Sequence, residues 1–132
     1  MHRWADGDYV PRPEATALAG RAVAALDLGL GFAAVAVDGG LVGLVGLEGP
    51  DGDRRVEAAG LMAEARARET RVARLLPAGM AADDPALAWA RGFINGPKVW
   101  SAMNAVAGAL QARRRLARAE VAEIVAWVSV AV

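Results

Sequence analysis

The sequence predicts a mainly helical single domain of the α+β class, with about five helices and one small β-hairpin. Apolar residues recur at helical spacing in five segments. An Asp-Gly-Gly motif at residues 38–40 separates two short apolar runs, which is typical of a hairpin. The 132 residues, 55% of them hydrophobic, are enough to form one core. We therefore assign residues 1–132 to one compact domain, with residues 1–12 as an extended N-terminal arm.

Two helices are predicted before residue 80. The first runs from Pro13 to about Leu28, where glycines end it. The second covers about twenty-two residues after the turn at Pro50-Asp51-Gly52, and its apolar residues keep helical spacing as far as Leu76. Pro77-Ala78-Gly79 is expected to stop this helix.

Residues 28–47 lie between these helices and allow two interpretations. Their length would suit a membrane helix, but Asp38 and six glycines count against insertion. A β-hairpin with strands over residues 32–37 and 41–47 agrees better with the Asp38-Gly39-Gly40 motif, because these residues tolerate the positive φ of a tight turn. We therefore favour the hairpin.

Three more helices are predicted in the second half of the chain. Asp83-Asp84-Pro85 starts the first of them, because an aspartate accepts the free amide hydrogens of the first turn and proline fits the first helical position. This helix runs to about Ile94, and Asn95-Gly96-Pro97 ends it, with the glycine expected in a left-handed cap. The fourth helix ends near the arginines at residues 113–115, and the fifth covers about residues 118–130.

The composition excludes several classes of function. The chain has no cysteine and one histidine, His2, so a disulfide framework, a catalytic cysteine and a conventional zinc site are excluded. With two serines, two threonines and one tyrosine, a nucleophile and its base can hardly be assembled, so an enzyme is disfavoured. We expect no zinc and no other cofactor.

Charge and the first residues of the chain bear on partners and location. The net charge is zero, so neither nucleic acid nor a membrane is an expected partner, and Arg113-Arg114-Arg115 is interpreted as a solvated helix end. Residues 1–8 lack the pattern of a secretory signal, which indicates a cytoplasmic protein. The dominance of arginine over lysine is typical of a GC-rich bacterial genome.

Four segments carry motifs in a recognisable order. Residues 17–23 read A-L-A-G-R-A-V and are followed by Leu28-Gly29-Leu30 before the hairpin. Residues 58–65 are predicted to form a helix of small residues. Asp83-Asp84 opens the next helix, and residues 100–124 are predicted to form a helix pair. These segments resemble the zinc metallopeptidases related to the FtsH peptidase domain. In that family, the metal-binding helix reads H-E-A-G-H-A-V, and an acidic pair precedes the helix with the third metal ligand. The resemblance covers roughly residues 13–130.

The residues that carry catalysis in that family are replaced in this chain. The resemblance places Ala17 and Arg21 where the family has its two histidines, and Leu18 where it has the catalytic glutamate. Zinc hydrolysis needs two imidazoles on one helix face and a carboxylate to take a proton from water. The resemblance therefore implies a metal-free pseudo-peptidase that binds a protein partner or a second copy of itself. The alternative is a small enzyme or small-molecule binder that reuses the former metal cleft with Arg21 and carboxylates.

Five residues are candidates for ligand or partner binding. Arg21 is expected to pair with an internal carboxylate, to bind a ligand, or to be an ordinary solvated arginine. Glu69 falls among the apolar positions of the predicted second helix, so it is either a functional acid, with a raised pKa or paired with another helix, or a boundary residue that reaches solvent. Asp83 and Asp84 are favoured as helix caps over catalysts. The acids that would pair with Arg21 are Glu64, Asp83 and Asp84.

The C-terminal residues form a second candidate for partner binding. Ile124–Val132 is an apolar run of nine residues, which is too short to cross a membrane. We expect this run to continue into an interface with another copy or with a partner protein.

Overall fold

The computed structural model describes residues 12–38, 41–46 and 54–130. Except for Arg12, the predicted N-terminal arm lies outside these ranges. Within them, the chain forms five α-helices, three β-strands and one 3₁₀ helix, which confirms the mainly helical fold with a small hairpin. No helix in these ranges is long and apolar enough to span a membrane. The elements are α1 (Pro13–Asp27), β1 (Ala34–Asp38), β2 (Leu41–Val45), α2 (Arg54–Ala67), the 3₁₀ helix (Val72–Arg74), α3 (Pro85–Ile94), α4 (Val99–Arg113), β3 (Arg115–Ala117) and α5 (Arg118–Val130).

The central element is α1, which packs against α2, α4, α5 and the hairpin. Alanine dominates its sequence, and small side chains let neighbouring elements approach closely from several directions. Larger apolar side chains from the surrounding elements fill the space around it. The largest fully buried ones are Leu87, Met103, Leu110, Leu116, Ile124 and Val35.

The sheet has three antiparallel strands in the order β2-β1-β3. The predicted hairpin forms, with Asp38 opposite Leu41, while Gly39 and Gly40 of its turn lie outside the described residues. The third strand was not predicted. It forms because Leu116, which is 0% exposed, pairs opposite Val35 and fills the core between α4 and α5. A strand of three residues is too short to show an alternating pattern in the sequence.

The second helix is much shorter than predicted. It ends at Ala67, well before the stop expected at residues 77–79, and residues 72–74 form a separate 3₁₀ helix. The apolar spacing that suggested one long helix continues because Val72 and Leu75 pack on the core from this second element. The backbone between the two elements explains the break.

The chain leaves α2 through a residue in the left-handed region, Glu69, whose φ is 54°. Its N–H donates to the Arg66 carbonyl at 3.2 Å, and the Thr70 N–H donates to the Ala65 carbonyl at 3.0 Å. This is a Schellman motif, in which glycine is the usual left-handed residue. The same motif ends α1 with Gly29 in that place, at a φ of 73°. The glutamate explains why the end of α2 lacks the ordinary sequence signal.

The ends of α3 follow the sequence with one correction. As predicted, Asp84 caps the helix, since its side chain accepts a hydrogen bond from the Ala86 N–H at 2.9 Å. The expectation of a left-handed Gly96 is wrong, because the left-handed residue of this connection is Lys98, with a φ of 63°. Gly96 lies in a tight space instead: an added Cβ would lie 3.1 Å from the Phe93 carbonyl oxygen and 3.2 Å from the Val99 Cγ2.

Candidate functional site

Between its two ends, the helix α1 reaches the surface along one narrow stripe. From Glu14 to Ala25, only Glu14, Ala17 and Arg21 are not buried, and their spacing places them on one face of the helix. Ala17 and Arg21 are the two positions that the resemblance matches to histidines. Leu18, which it matches to the catalytic glutamate, is 5% exposed and belongs to the core. The stripe is therefore the part of α1 between Glu14 and Ala25 from which a side chain can meet a ligand.

Two glycines bring the backbones of α1 and α2 into close contact beside this stripe. A Cβ added to Gly20 would lie 2.8 Å from the Ala63 Cβ and 2.9 Å from the Ala59 carbonyl oxygen. A Cβ added to Gly60 would lie 2.7 Å from Cγ and 2.9 Å from Nε of Arg21. Gly60 thus forms a trough for the Arg21 side chain. Neither role was predicted, although both glycines stand in alanine-glycine pairs, and such small-residue pairs are the available signal.

The Arg21 guanidinium has an unsatisfied donor. Its Nε is buried and lacks a hydrogen-bond partner. Among the residues that the structure describes, no other buried side-chain nitrogen or oxygen lacks one. The expected pairing with an internal carboxylate does not form in this part of the chain. Glu64 and Asp84 each bind a different arginine, and Asp83 is exposed at the start of α3.

Glu64 belongs to an ion-pair network at the Glu14 end of the stripe. Arg68 Nε donates to Glu64 Oε2 at 2.8 Å, and Arg68 Nη2 donates to Glu14 Oε1 at 2.9 Å. The Glu14 pKa lies below its usual value because its own backbone N–H, and then Arg68, hydrogen-bond its carboxylate. The hydrogen bond to Glu64, followed by the one to Glu14, raises the Arg68 pKa. The network joins the start of α1 to the end of α2.

Asp84 is held away from Arg21 by its own partners. Besides capping α3, it accepts a hydrogen bond from Arg54 Nη2 at 2.8 Å. The backbone hydrogen bond of the cap, followed by the Arg54 charge, lowers the Asp84 pKa below its usual value. Arg54 precedes Gly60 by six residues on α2, which is about 9 Å along the helix axis. The structure therefore does not bring Asp84 together with Arg21.

Glu69 lies at the end of α2, away from any apolar face. It is exposed, and its backbone forms the left-handed end of the helix. The prediction that it stands among apolar positions is wrong, because those positions assumed a helix that continued past Ala67. Of its two interpretations, the structure agrees with the boundary residue that reaches solvent.

The arginines near the end of α4 have structural partners. Arg113 Nη1 forms an ion pair at 2.6 Å with Glu120 of α5. The Arg114 guanidinium donates to the Val37 carbonyl at 3.4 Å, and Arg118 stacks over the Phe32 ring. Residues 113–115 are all exposed, in agreement with the solvated helix end that the sequence suggested, and in addition Arg113 joins α4 to α5 while Arg114 joins the end of α4 to β1.

Zinc does not fit the residues on the stripe. Ala17 has no donor atom, and the positive charge of Arg21 opposes a cation. Within the described ranges, no three acidic or histidine side chains are grouped closely enough to hold a metal ion.

Neither a known protein family, nor a curated protein, nor a solved structure matches this chain. The resemblance to the metallopeptidases therefore depends on the motif order alone.

Proposed function

We propose that this chain is a non-catalytic pseudo-peptidase that serves as a protein-binding or assembly module in the bacterial cytoplasm. The supporting observation is the surface stripe of α1. Three positions between Glu14 and Ala25 of this helix are not buried, and two of them are the positions that match the histidine ligands. They now hold Ala17 and Arg21, which suit contact with a partner rather than metal binding.

The order of the elements agrees with this proposal. The helix with the surface stripe, α1, precedes the small sheet. The small-residue helix α2 contacts α1 closely at Gly20 and Gly60. The capped helix α3 is followed by the closing pair, α4 and α5. Leu18 in the core replaces the group that would activate water. Such a chain would keep the architecture of a peptidase without its chemistry.

The end of α5 is the surface that we propose for assembly. Ile124 and Val128 of this helix face the core, while Val130 is 76% exposed. Lys98 Nζ donates to the Ser129 carbonyl at 2.7 Å and ties this end of α5 to the start of α4. We infer that Val130 contacts the partner, because among the described residues it is the one large apolar side chain that is exposed.

Native mass spectrometry of the purified protein tests this function. We expect a metal-free homo-oligomer, and truncation after Val128 should shift the population towards the monomer. Val130→Asp is the matched variant, because it places a charge in the interface while leaving the Lys98 contact with the Ser129 backbone intact. An unchanged mass distribution in both variants would refute the role of this helix end. Retained zinc, or hydrolysis of unstructured protein substrates, would refute the pseudo-peptidase itself.

A small-molecule binder is the second candidate function. The observation that favours it is the buried, unpaired Nε of Arg21 beside the surface stripe. An organic molecule retained in the native spectrum of the wild-type protein, and lost in an Arg21 variant, would favour this function over the assembly module.

A further inference from the structure

Two exposed arginines of α2 each lie against a partly exposed tryptophan. The Arg66 guanidinium carbon is 4.4 Å from the centre of the Trp100 ring, at the start of α4. The Arg55 guanidinium carbon is 5.7 Å from the centre of the Trp89 ring on α3. Trp89 in turn stacks on Phe93, which is also partly exposed, with 4.9 Å between the ring centres and 12° between the planes.

Both arginines lie on the same face of α2. Arg66 follows Arg55 by eleven positions, which is about three turns and roughly 16 Å along the helix axis. Ala59 and Met62 lie between them on that face and are buried. The two arginine–tryptophan pairs therefore stand at the two ends of one covered strip of α2. The arginine–aromatic surface is defined as Arg55, Arg66, Trp89, Phe93 and Trp100.

The acids of α2 lie on the opposite side of the helix. Glu64 follows Arg55 by nine positions, and Glu57 precedes Arg66 by nine, which is half a turn away around the axis in each case. Residues 54–118 carry twelve basic and five acidic side chains. The zero net charge is thus an average over the whole chain, and this side of α2 carries positive charge.

The side chains of this surface are those that bind most strongly between proteins. Tryptophan and arginine are enriched among the residues that carry the binding free energy of protein interfaces. A guanidinium that lies on an aromatic ring can still bind a carboxylate through its N–H edge. The rings beside it supply apolar contact area. A matching partner therefore combines carboxylates with apolar side chains.

Nucleic acid fits this surface less well. Strands without sequence preference bind by stacking their bases on aromatic rings. Here Arg66 covers a face of Trp100, while Arg55 and Phe93 both lie against Trp89. Little ring face remains on which a base could stack.

We propose that the arginine–aromatic surface binds an acidic segment of another protein, with apolar side chains between its carboxylates. This inference rests on the proposed function, because it names the chemistry of the partner of the protein-binding module. A second copy of this chain is a poorer source of the segment. Several acids in the described ranges already form ion pairs within their own chain, namely Glu14, Glu64, Asp84 and Glu120.

Fluorescence anisotropy with labelled probes tests the proposal. The first probe is a peptide of about fifteen residues in which Glu and Leu alternate, which is long enough to reach both arginines even as a helix. A peptide of Glu alone and a single-stranded oligothymidylate are the comparison probes. We expect saturable binding of the Glu-Leu peptide, at least about tenfold tighter than that of Glu alone, and weaker in high salt. No saturable binding, or tighter binding of the oligothymidylate, would overturn the proposal.

Arg66→Glu and Arg91→Glu are matched variants. Both replace an exposed arginine and change the net charge by the same amount, but Arg91 lies two positions after Trp89, on another side of α3. We expect Arg66→Glu to weaken binding of the Glu-Leu peptide at least about tenfold, and Arg91→Glu by less than about twofold. Equal weakening in both variants would show general attraction between charges and would contradict a defined surface.

The oligomer mass separates this inference from the assembly function. Arg66→Glu should leave the native mass distribution unchanged, because the assembly surface is the end of α5. A shift of this variant towards the monomer would identify a second copy as the occupant and overturn the binding of another protein. An intact homo-oligomer that binds no Glu-Leu peptide would refute this inference alone. A monomer that binds the peptide would refute assembly alone.

Discussion

Gly20→Ala is expected to destabilise this protein, although glycine-to-alanine changes inside helices usually stabilise. Alanine is favoured over glycine in a helix interior by about 1 kcal/mol. In α1, however, the new methyl group would lie 2.8 Å from the Ala63 Cβ and 2.9 Å from the Ala59 carbonyl oxygen. Neither atom can rotate away, because one is attached directly to the backbone and the other belongs to it. The two helices must therefore separate by roughly half an ångström, which weakens the packing along the whole seam.

The size of the effect follows from these two opposing terms. Overpacking a tightly packed contact costs about 1–3 kcal/mol, and contact with a rigid backbone places Gly20→Ala in the upper part of that range. After the helix-propensity gain is subtracted, the free energy of unfolding should fall by about 1–2 kcal/mol. Urea unfolding followed by circular dichroism should show this as a midpoint lower by roughly 0.5–1 M.

Gly92→Ala is the matched control on α3. Gly92 is exposed, and an added Cβ would have no atom within 4 Å, so the helix-propensity term acts alone. We expect this variant to be more stable than the wild type by about 0.5–1 kcal/mol. If Gly20→Ala also stabilised the protein, α1 and α2 would not be in close contact. The Arg21 side chain would then not be packed against Gly60.

Two further changes test the ends of helices. Glu69→Gly should raise the free energy of unfolding by about 0.5–1 kcal/mol, because a left-handed backbone strains every residue with a Cβ. Urea unfolding measures this gain. If Glu69→Gln raised the free energy of unfolding by the same amount, the cause would be the lost charge and not the relieved backbone strain. Asp84→Asn keeps the cap but removes the charge that pairs with Arg54. Because the folded Asp84 pKa is lowered, the stability from its charge is complete above about pH 4 and is lost as the pH falls through the folded pKa. Thermal unfolding of Asp84→Asn and wild type should therefore converge towards about pH 2, and a constant difference from neutral pH downwards would contradict this.

Local signals predicted most of the fold. Proline at the start of α1, Asp84 before Pro85 at the start of α3, and glycine at the end of α1 each act on the backbone within one turn, so the sequence shows them directly. The end of α2 was missed because Glu69 adopts a conformation that usually belongs to glycine. The strand around Leu116 was missed because its pairing with Val35 joins distant parts of the chain.

The candidate site was predicted only in part. Arg21 was identified from its place in a motif, and Asp84 was correctly favoured as a cap. The expected contact between Arg21 and an acid did not form, because Arg54 and Arg68 are better placed to bind Asp84 and Glu64. Which arginine reaches which acid depends on how the helices cross, and helical spacing alone carries no information about that crossing.

The sequence by itself determined where most helices begin, where the hairpin turns and which side of each helix is apolar. These properties depend on backbone groups and neighbours within about four residues. The tertiary structure decided that α1, between Glu14 and Ala25, opens to the surface only at Glu14, Ala17 and Arg21, and that the Arg21 Nε is buried against Gly60. The physical reason is that burial and close contact are set by segments about forty residues apart, whose distance is fixed only when the core packs.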